Sequence, residues 1–391
     1  MNKLFKYYIL VINGKWGFCM KRKLVIIGAN DFQRQLVIKA KDRGFETHVF
    51  AWEKDAIAKG DADFFYPISV TEKERILDLC REISPLGITS VASDLASVTV
   101  NYVAEKLNLT GNGIESSLLS TNKYLMRRAF REAEVPSPMF FCSSELNEKK
   151  IDELLFPVII KPVDRSGSRG VNKVESRKEV EDAIKIAEEQ SFVHKAIIEE
   201  YVEGEEYSVE YISWKGNHIF LAMTRKFTTG EPHFIEMGHE QPANVSCEVL
   251  EKVKDIVENA LDSLKIRNGA SHTELKIDSK GCIKIIEVGG RMGGDCIGSD
   301  LVQLSTGYDF VSMVIDVACG HKPIFKKICT PRFSEIKFIF SEKDYEELKK
   351  IQQETPQRIY RISDIKRNDA LPILDSSARL GYYILQGELL E

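Results

Sequence analysis

From Lys23 onward the apolar positions alternate between two rhythms. "KLVIIGAN" opens with an unbroken apolar run, the kind buried on both faces of a parallel sheet. "DFQRQLVIKAKDRG" then puts Phe32, Leu36 and Ala40 at helical spacing and stops at Gly44. "FETHVFA" returns as a strand, and "TEKERILDLCREI", "GITSVAS" and "ASVTVNYVAEKLN" follow as helix, strand and helix. This alternation predicts a doubly wound parallel α/β domain over roughly 21–115. Gly28-Ala29-Asn30, at its first turn, lacks the repeated glycines of a dinucleotide site, which argues against NAD.

Beyond 115 the pattern becomes α+β. "STNKYLMRRAFREAEV" reads as one helix, capped by Ser120 or Thr121 and closed by Pro136 and Pro138. Short strands and helices follow ("FPVIIKP", "KEVEDAIKIAEEQ", "AIIEEYVEG", "EYSVEYISWKGN", "HIFLAMTRKF"), then an amphipathic helix over 248–265. "SHTELKIDSKGCIKIIEVGGRMGG" predicts two strands around a tight turn, and the tail from 331 is a small unit rich in short strands.

At 391 residues the chain exceeds what one hydrophobic core usually serves, so two or three domains are expected. With 43% apolar and 29% charged residues it reads as soluble and globular, and a net charge of −5 argues against a general nucleic-acid binder. The eight cysteines are scattered with no C-x-x-C pair, which suits a reducing cytoplasm better than a zinc site or a disulfide framework. Lys3 and Lys6 precede "YYILVI", but Asn13-Gly14-Lys15 interrupts that stretch before it reaches the ~7–15 apolar residues of a secretory core. Met20 stands directly before "KRKLVIIGAN", so residues 1–20 read as an extension, with an upstream start as one explanation. No stretch approaches the roughly 20 apolar residues of a membrane span, and no membrane partner is expected.

Three stretches carry candidate chemistry. In "IIKPVDRSGSRGV", Lys161 ends a strand ahead of a loop of Ser, Gly and Arg. Such backbone can aim several N–H groups at one anion, though a plain surface turn has the same composition. In the hairpin, a loop of Lys280-Gly281 sets Glu274 directly opposite Glu287, and a loop of Ser279-Lys280 sets them diagonally. Either register brings two carboxylates within about 5–8 Å on one face. Like charges so placed call for a cation, and Mg²⁺ takes few protein carboxylates and completes its shell with phosphate oxygens and water. A three-residue loop would put the two on opposite faces; two solvated carboxylates on an exposed face would also give this sequence. "EEYVEGEEYSVE" suits either an acidic exposed loop or a linker whose backbone edge and carboxylates grip a purine and its ribose.

Together with Lys123 in "TNKYLMRRAF" and with "EVGGR", these stretches stand in the order and spacing of the ATP-grasp superfamily. The chain resembles that superfamily over roughly 24–325, most closely its carboxylate–amine ligases of the L-amino acid ligase type. The resemblance implies an ATP-grasp domain over 116–325, a mobile lid subdomain at about 137–203, and a small β-rich C-terminal subdomain over 326–391. It implies ATP and Mg²⁺, with Mn²⁺ as an alternative ion, and small-molecule carboxylate and amine substrates; a homodimer is compatible with it. Lys123 and Lys161 would hold the phosphates, with Lys161 and Arg291 catalytic. Ser166, Gly167, Ser168 and Gly170 would belong to the lid loop. Glu199 and the Val202 backbone would meet adenine, Glu206 the ribose, and Glu274 and Glu287 the metal. The product would be an amide or dipeptide-like compound, with release of ADP and phosphate. A bicarbonate-using carboxylase and a non-catalytic nucleotide-binding regulator are the alternative readings. Gly289 stands where many members carry a metal-binding Asn, which leaves the number of metal ions open.

Further residues attract notice without a settled role. Arg225 and Lys226 suit a phosphate or substrate carboxylate, or a solvated strand end. His239-Glu240 suits an acceptor pocket. His272 shares a face with Glu274, where it suits orienting a neighbour or packing more than ligating a metal, and Asp295 and Ser299 suit contact with substrate but are expected to cap the following helix.

Overall fold

A computed structural model describes residues 8–12, 15–19, 21–231, 234–366 and 376–389. Tyr8–Ile12 and Lys15–Cys19 pair as an antiparallel hairpin ahead of the first domain.

The first domain is a four-stranded parallel sheet in the order Phe64–Pro67, Glu46–Ala51, Lys23–Ile27, Gly87–Thr89. Side-chain alternation divides its central strand between two cores. Val25 and Ile27 pack with Ile76, Cys80 and Val103 of the helices Lys73–Ile83 and Asp94–Lys106. Leu24 and Ile26 pack with Leu36 and Val37 of Asp31–Asp42, as a doubly wound sheet requires. That second core also holds Ala270, Phe310 and Ile315. The first domain therefore shares a dry face with the rest of the molecule, so the N-terminus of Asp94–Lys106 is held in a set place.

The helix expected from Ser120 is in fact two, Gly113–Thr121 and Lys123–Glu132. Neither Ser120 nor Thr121 caps the second one. Asn122 does, its side chain accepting the Leu125 N–H at 3.1 Å. The break bends the chain there and puts Lys123 in a first turn, its N–H on the Val163 carbonyl at 2.7 Å.

Residues 140–200 form a separate antiparallel sheet in the order Phe140–Cys142, Ala196–Glu200, Val158–Pro162, Asn172–Val174. Helix Val180–Gln190 covers it, burying Val158, Ile160, Val180 and Ala187 in a small core of its own.

The largest sheet has eight antiparallel strands. From one edge it runs Ile283–Gly289, Gly269–Ile277, Glu205–Trp214, Asn217–Thr228, Glu236–Gln241, Phe333–Ile339, Gly381–Gly387, Ile359–Ile362. The tail strands therefore continue this sheet instead of forming one of their own. Phe333–Ile339 pairs the backbone edge that Glu236–Gln241 would otherwise leave open. Ile336 and Phe338 pack beneath Ile297 and Leu301. The amphipathic helix runs Cys247–Ser263. Among the described residues no helix is long and apolar enough to cross a membrane.

Candidate active site

The hairpin that carries Glu274 and Glu287 closes through Ser279, Lys280 and Gly281, with Gly281 at φ +77° and the Asp278 N–H on the Cys282 carbonyl at 3.1 Å. This is the three-residue loop that would separate the two carboxylates. Near the turn the register follows it, with Ile277 opposite Ile283 and Leu275 opposite Ile285. The register then slips by one residue, leaving Ile286 extra and Glu274 directly opposite Glu287. A β-bulge thus re-aims one side chain into a site. The freed Ile286 carbonyl accepts from Arg127 Nη2 at 2.6 Å.

Around this pair the charges interlock. Lys123 Nζ lies 2.8 Å from Glu287 Oε1 and donates to the Arg165 carbonyl at 2.7 Å, tying the loop to the hairpin. Lys226 Nζ reaches Glu274 at 2.6 Å, Glu206 at 3.1 Å and Glu236 at 3.7 Å. Burial opposes the charge on Lys226, but those three carboxylates outweigh it and hold its pKa well above the ordinary lysine value. Burial likewise works against ionising Glu274, yet Lys226 and His272 hold it well below the usual carboxylate range. Burial disfavours a proton on His272; Glu210 and then Glu274 overcome this and raise it to about 9. Arg291 Nε bonds Asp94 Oδ1 at 2.8 Å, a contact from the central sheet to the first domain.

A cavity of about 200 Å³ is lined by most of these groups, though not by Lys226 or Glu210. Its walls include Lys123, Lys161, Ser166, Gly167, Ser168, Glu199, Val202, Glu206, Glu274, Glu287 and Arg291. Gly170 is not among them. At φ +70° it packs behind the loop, where a Cβ would come 3.0 Å from Pro162. Glu199 also departs from its expected role. Its carboxylate is 3% exposed and sits between Lys161 at 2.7 Å and Arg127 at 2.8 Å, so it backs the two cations instead of opening toward a base. A base fits better at the apolar end, between Pro138, Ile159, Tyr201, Phe234 and Ile286. The Val202 carbonyl there is held by Lys276 at 3.2 Å.

Asp295 and Ser299 cap nothing. Asp295 pairs with Arg379 at 2.9 Å and lies 3.6 Å from buried His239, while the Ser299 hydroxyl bonds its neighbour Asp300 at 2.5 Å. Lys226 proves central, and period-two counting against Glu206 and Glu274 would have signalled it only once strand pairing was known. Asp94 and Arg127 went unnoticed, since nothing local distinguishes them from surface charges.

Glu274 and Glu287 suit Mg²⁺, since a pair of opposed carboxylates leaves most of a six-oxygen shell to phosphates and water. Among the described residues no cluster of three or more ligating side chains exists. Position 289 is closely set: a Cβ there would lie 3.1 Å from Arg291 Nε and 3.1 Å from Asp94 Oδ1, so a side chain would need one of them to shift by a few tenths of an ångström.

Residues 154–300 match the ATP-grasp domain family, so the chain carries an ATP-grasp domain. It is 24% identical over 299 residues to alanine–anticapsin ligase of Bacillus subtilis (strain 168), covering 68% of this chain and 63% of that enzyme's length. The solved structure of L-amino acid ligase from Bacillus licheniformis superposes with a TM-score of 0.78 at 25% identity, covering 94% of both chains. Phosphoribosylglycinamide synthetase from Anaerococcus prevotii shares the fold, with a TM-score of 0.75 at 21% identity and 95% coverage of each chain.

Proposed function

We propose that the protein is an ATP-dependent carboxylate–amine ligase that forms an acylphosphate, condenses it with an amine and releases ADP and phosphate. One observation carries this reading: facing Glu274 and Glu287 share a cavity with Lys123, Lys161, the Ser166–Ser168 loop and Arg291. The alanine–anticapsin ligase relative and the L-amino acid ligase structure support it.

Each part answers a need of the chemistry. A carboxylate has no usable leaving group until its oxygen carries a phosphoryl group. Lys123 and Lys161 would neutralise and align the phosphates, and in phosphoryl transfer such positioning is most of the protein's work. Glu274 and Glu287 would hold Mg²⁺, which would supply charge neutralisation for the phosphates. Arg291, fixed by Asp94, offers a planar donor fork to an oxyanion formed when the amine attacks. The loop at 164–170 would shut water out, since acylphosphates hydrolyse. Gly167 at φ +70° and Ser168 at φ +56° turn its backbone where both residues line the cavity. Cys80, Cys142, Cys247, Cys282, Cys296, Cys319 and Cys329 are free thiols, which supports a cytoplasmic setting.

The test is phosphate release from ATP and Mg²⁺ with pooled amino acids, followed by mass spectrometry for a condensed product. Amine-dependent release with a new amide is expected. Bicarbonate-dependent release without any amine would favour a carboxylase, and tight ATP binding with no turnover a regulator.

A further inference from the structure

Glu210 lies in the middle of the largest sheet with its side chain fully buried, and none of the chemistry above uses it. Strand pairing sets it directly opposite His272, with Glu274 two residues further along on the same face. Burying a carboxylate costs free energy, and well-packed apolar residues of similar size often serve stability as well or better. Packing therefore gives no reason for a charge at this position. Its contacts do.

Glu210 Oε1 accepts from His272 Nδ1, and Oε2 accepts the Gly293 N–H at 3.1 Å. On its other side, His272 Nε2 lies 3.3 Å from Glu274 Oε1. With carboxylate oxygens on both sides, the ring donates from both nitrogens. Lys226 donates to the same Glu274 Oε1 at 2.6 Å. Two donors thus share Oε1, while among the described residues no donor reaches Glu274 Oε2, the oxygen left for a cation. The second arm of Glu210 acts elsewhere. Gly293 lies two residues after Arg291, in the loop that aims the guanidinium. The first domain holds the same loop from its other side, where the Met292 carbonyl accepts the Ala92 N–H at 3.2 Å. Gly293 is seated directly on the Glu210–His272 pair: a Cβ there would come 2.8 Å from both Glu210 Oε1 and His272 Nδ1. Glu210 itself does not line the cavity, so it acts only through its neighbours.

We propose that Glu210 is a positioning residue that couples the two halves of the site. Through His272 it sets which oxygen of Glu274 is left for the metal, and through the Gly293 N–H it sets the loop that carries Arg291. The proposal rests on the ligase reading for Arg291 and on Glu274 as a metal ligand. Outer partners of this kind change metal affinity or activity about 10–100-fold when they are removed.

Three variants test it. Glu210→Leu keeps the volume and removes both bonds, and Glu210→Gln keeps the reach and an acceptor for Gly293. Gly293→Ala pushes the loop off the pair while leaving both side chains in place. Mg²⁺ is titrated calorimetrically into protein saturated with ADP, and ADP affinity is measured without metal. Phosphate release with pooled amino acids gives kcat, and thermal melting reports folding. Glu210→Leu and Gly293→Ala should bind Mg²⁺ about 10–100-fold more weakly and lose a similar factor in kcat. Metal-free ADP affinity should stay within about twofold. Glu210→Gln should recover about tenfold of the loss in Mg²⁺ affinity. If folded Glu210→Leu keeps wild-type Mg²⁺ affinity and kcat, the proposal is overturned while the ligase reading stands; should that variant not fold, the same result from Gly293→Ala overturns it. An equal loss of metal-free ADP affinity would make the defect a general one and overturn it too. If the wild type binds Mg²⁺ with ADP yet releases no phosphate with any amino acid, the ligase reading falls, and the Mg²⁺ titrations still decide the role of Glu210.

Discussion

At the scale of single residues, the site is a set of buried charges that stay charged only because each has a partner. Glu287→Gln keeps shape and hydrogen bonding but leaves the phosphates less neutralised. Losing one such interaction costs ~3–4 kcal/mol, so kcat should fall about a hundred- to a thousandfold. ATP affinity should fall much less, because Lys161 and the apolar end of the cavity remain. Lys280→Ala, in the exposed hairpin turn, should leave turnover unchanged; steady-state kinetics on both variants checks the pair. Lys226 makes a complementary case. Its side chain is 3% exposed among Glu274, Glu206 and Glu236, and removing one partner of a buried pair costs about 3–5 kcal/mol. Lys226→Met should lower stability by that order in a denaturant titration. Mg²⁺ should restore part of the loss by replacing the missing cation between carboxylates. These two lysines show how far local reading reaches. Lys161 announces itself by ending an apolar run before a glycine-rich loop, whereas Lys226 looks like any polar strand end until three strands are laid side by side.

At the scale of elements, the hairpin shows why secondary structure was legible and register was not. Alternation and turn composition located both strands, Gly269–Ile277 and Ile283–Gly289, from sequence. The actual loop, Ser279 to Gly281, is the one that should have spoiled the site, and the bulge at Ile286 undoes its effect. No local pattern marks that bulge, because its cause is distant: Arg127, on another helix, takes the spare carbonyl. The same holds for the helix break at Asn122, whose reason is the pairing of Lys123 N–H with Val163. Deleting Ile286 should restore simple pairing and keep Glu287 opposite Glu274, while removing the carbonyl that Arg127 Nη2 holds. Circular dichroism and Mg²⁺-dependent turnover should change little, and the melting temperature should fall because buried Arg127 loses that acceptor. In the first domain, the strand Glu46–Ala51 carries His48 between Glu46 at 3.1 Å and Tyr66 at 3.0 Å, stacked on Phe64. Burial lowers its pKa, with Glu46 offsetting only part of the effect. The unfolded chain therefore takes up the proton first, near pH ~6.5, and stability should drop as pH falls below that value. His48→Gln should flatten that slope in pH-dependent melting.

At the scale of the whole molecule, the candidate site is assembled from three units, and Asp94 with Arg291 is a contact that ties the first domain into it. The guanidinium meets Asp94 at 2.8 Å through Nε and 3.3 Å through Nη2, a two-pronged pair. Burial opposes the charge on each; the partner's charge prevails, lowering the Asp94 pKa and raising that of Arg291. The pair also crowds Gly289, so a side chain at 289 would require Arg291 or Asp94 to shift by a few tenths of an ångström. Asp94→Asn keeps size and one hydrogen bond while removing the charge that fixes the fork. Misplacing a positioning group of this kind costs on the order of a hundredfold, so kcat/KM for the acid substrate should fall by about that factor. If Lys161 and the apolar end of the cavity hold the nucleotide, as proposed, ATP affinity should stay within about threefold by calorimetry, a change worth under 1 kcal/mol. A large loss of ATP affinity with normal turnover at saturation would instead make Arg291 a nucleotide ligand, and Asp94 only its support.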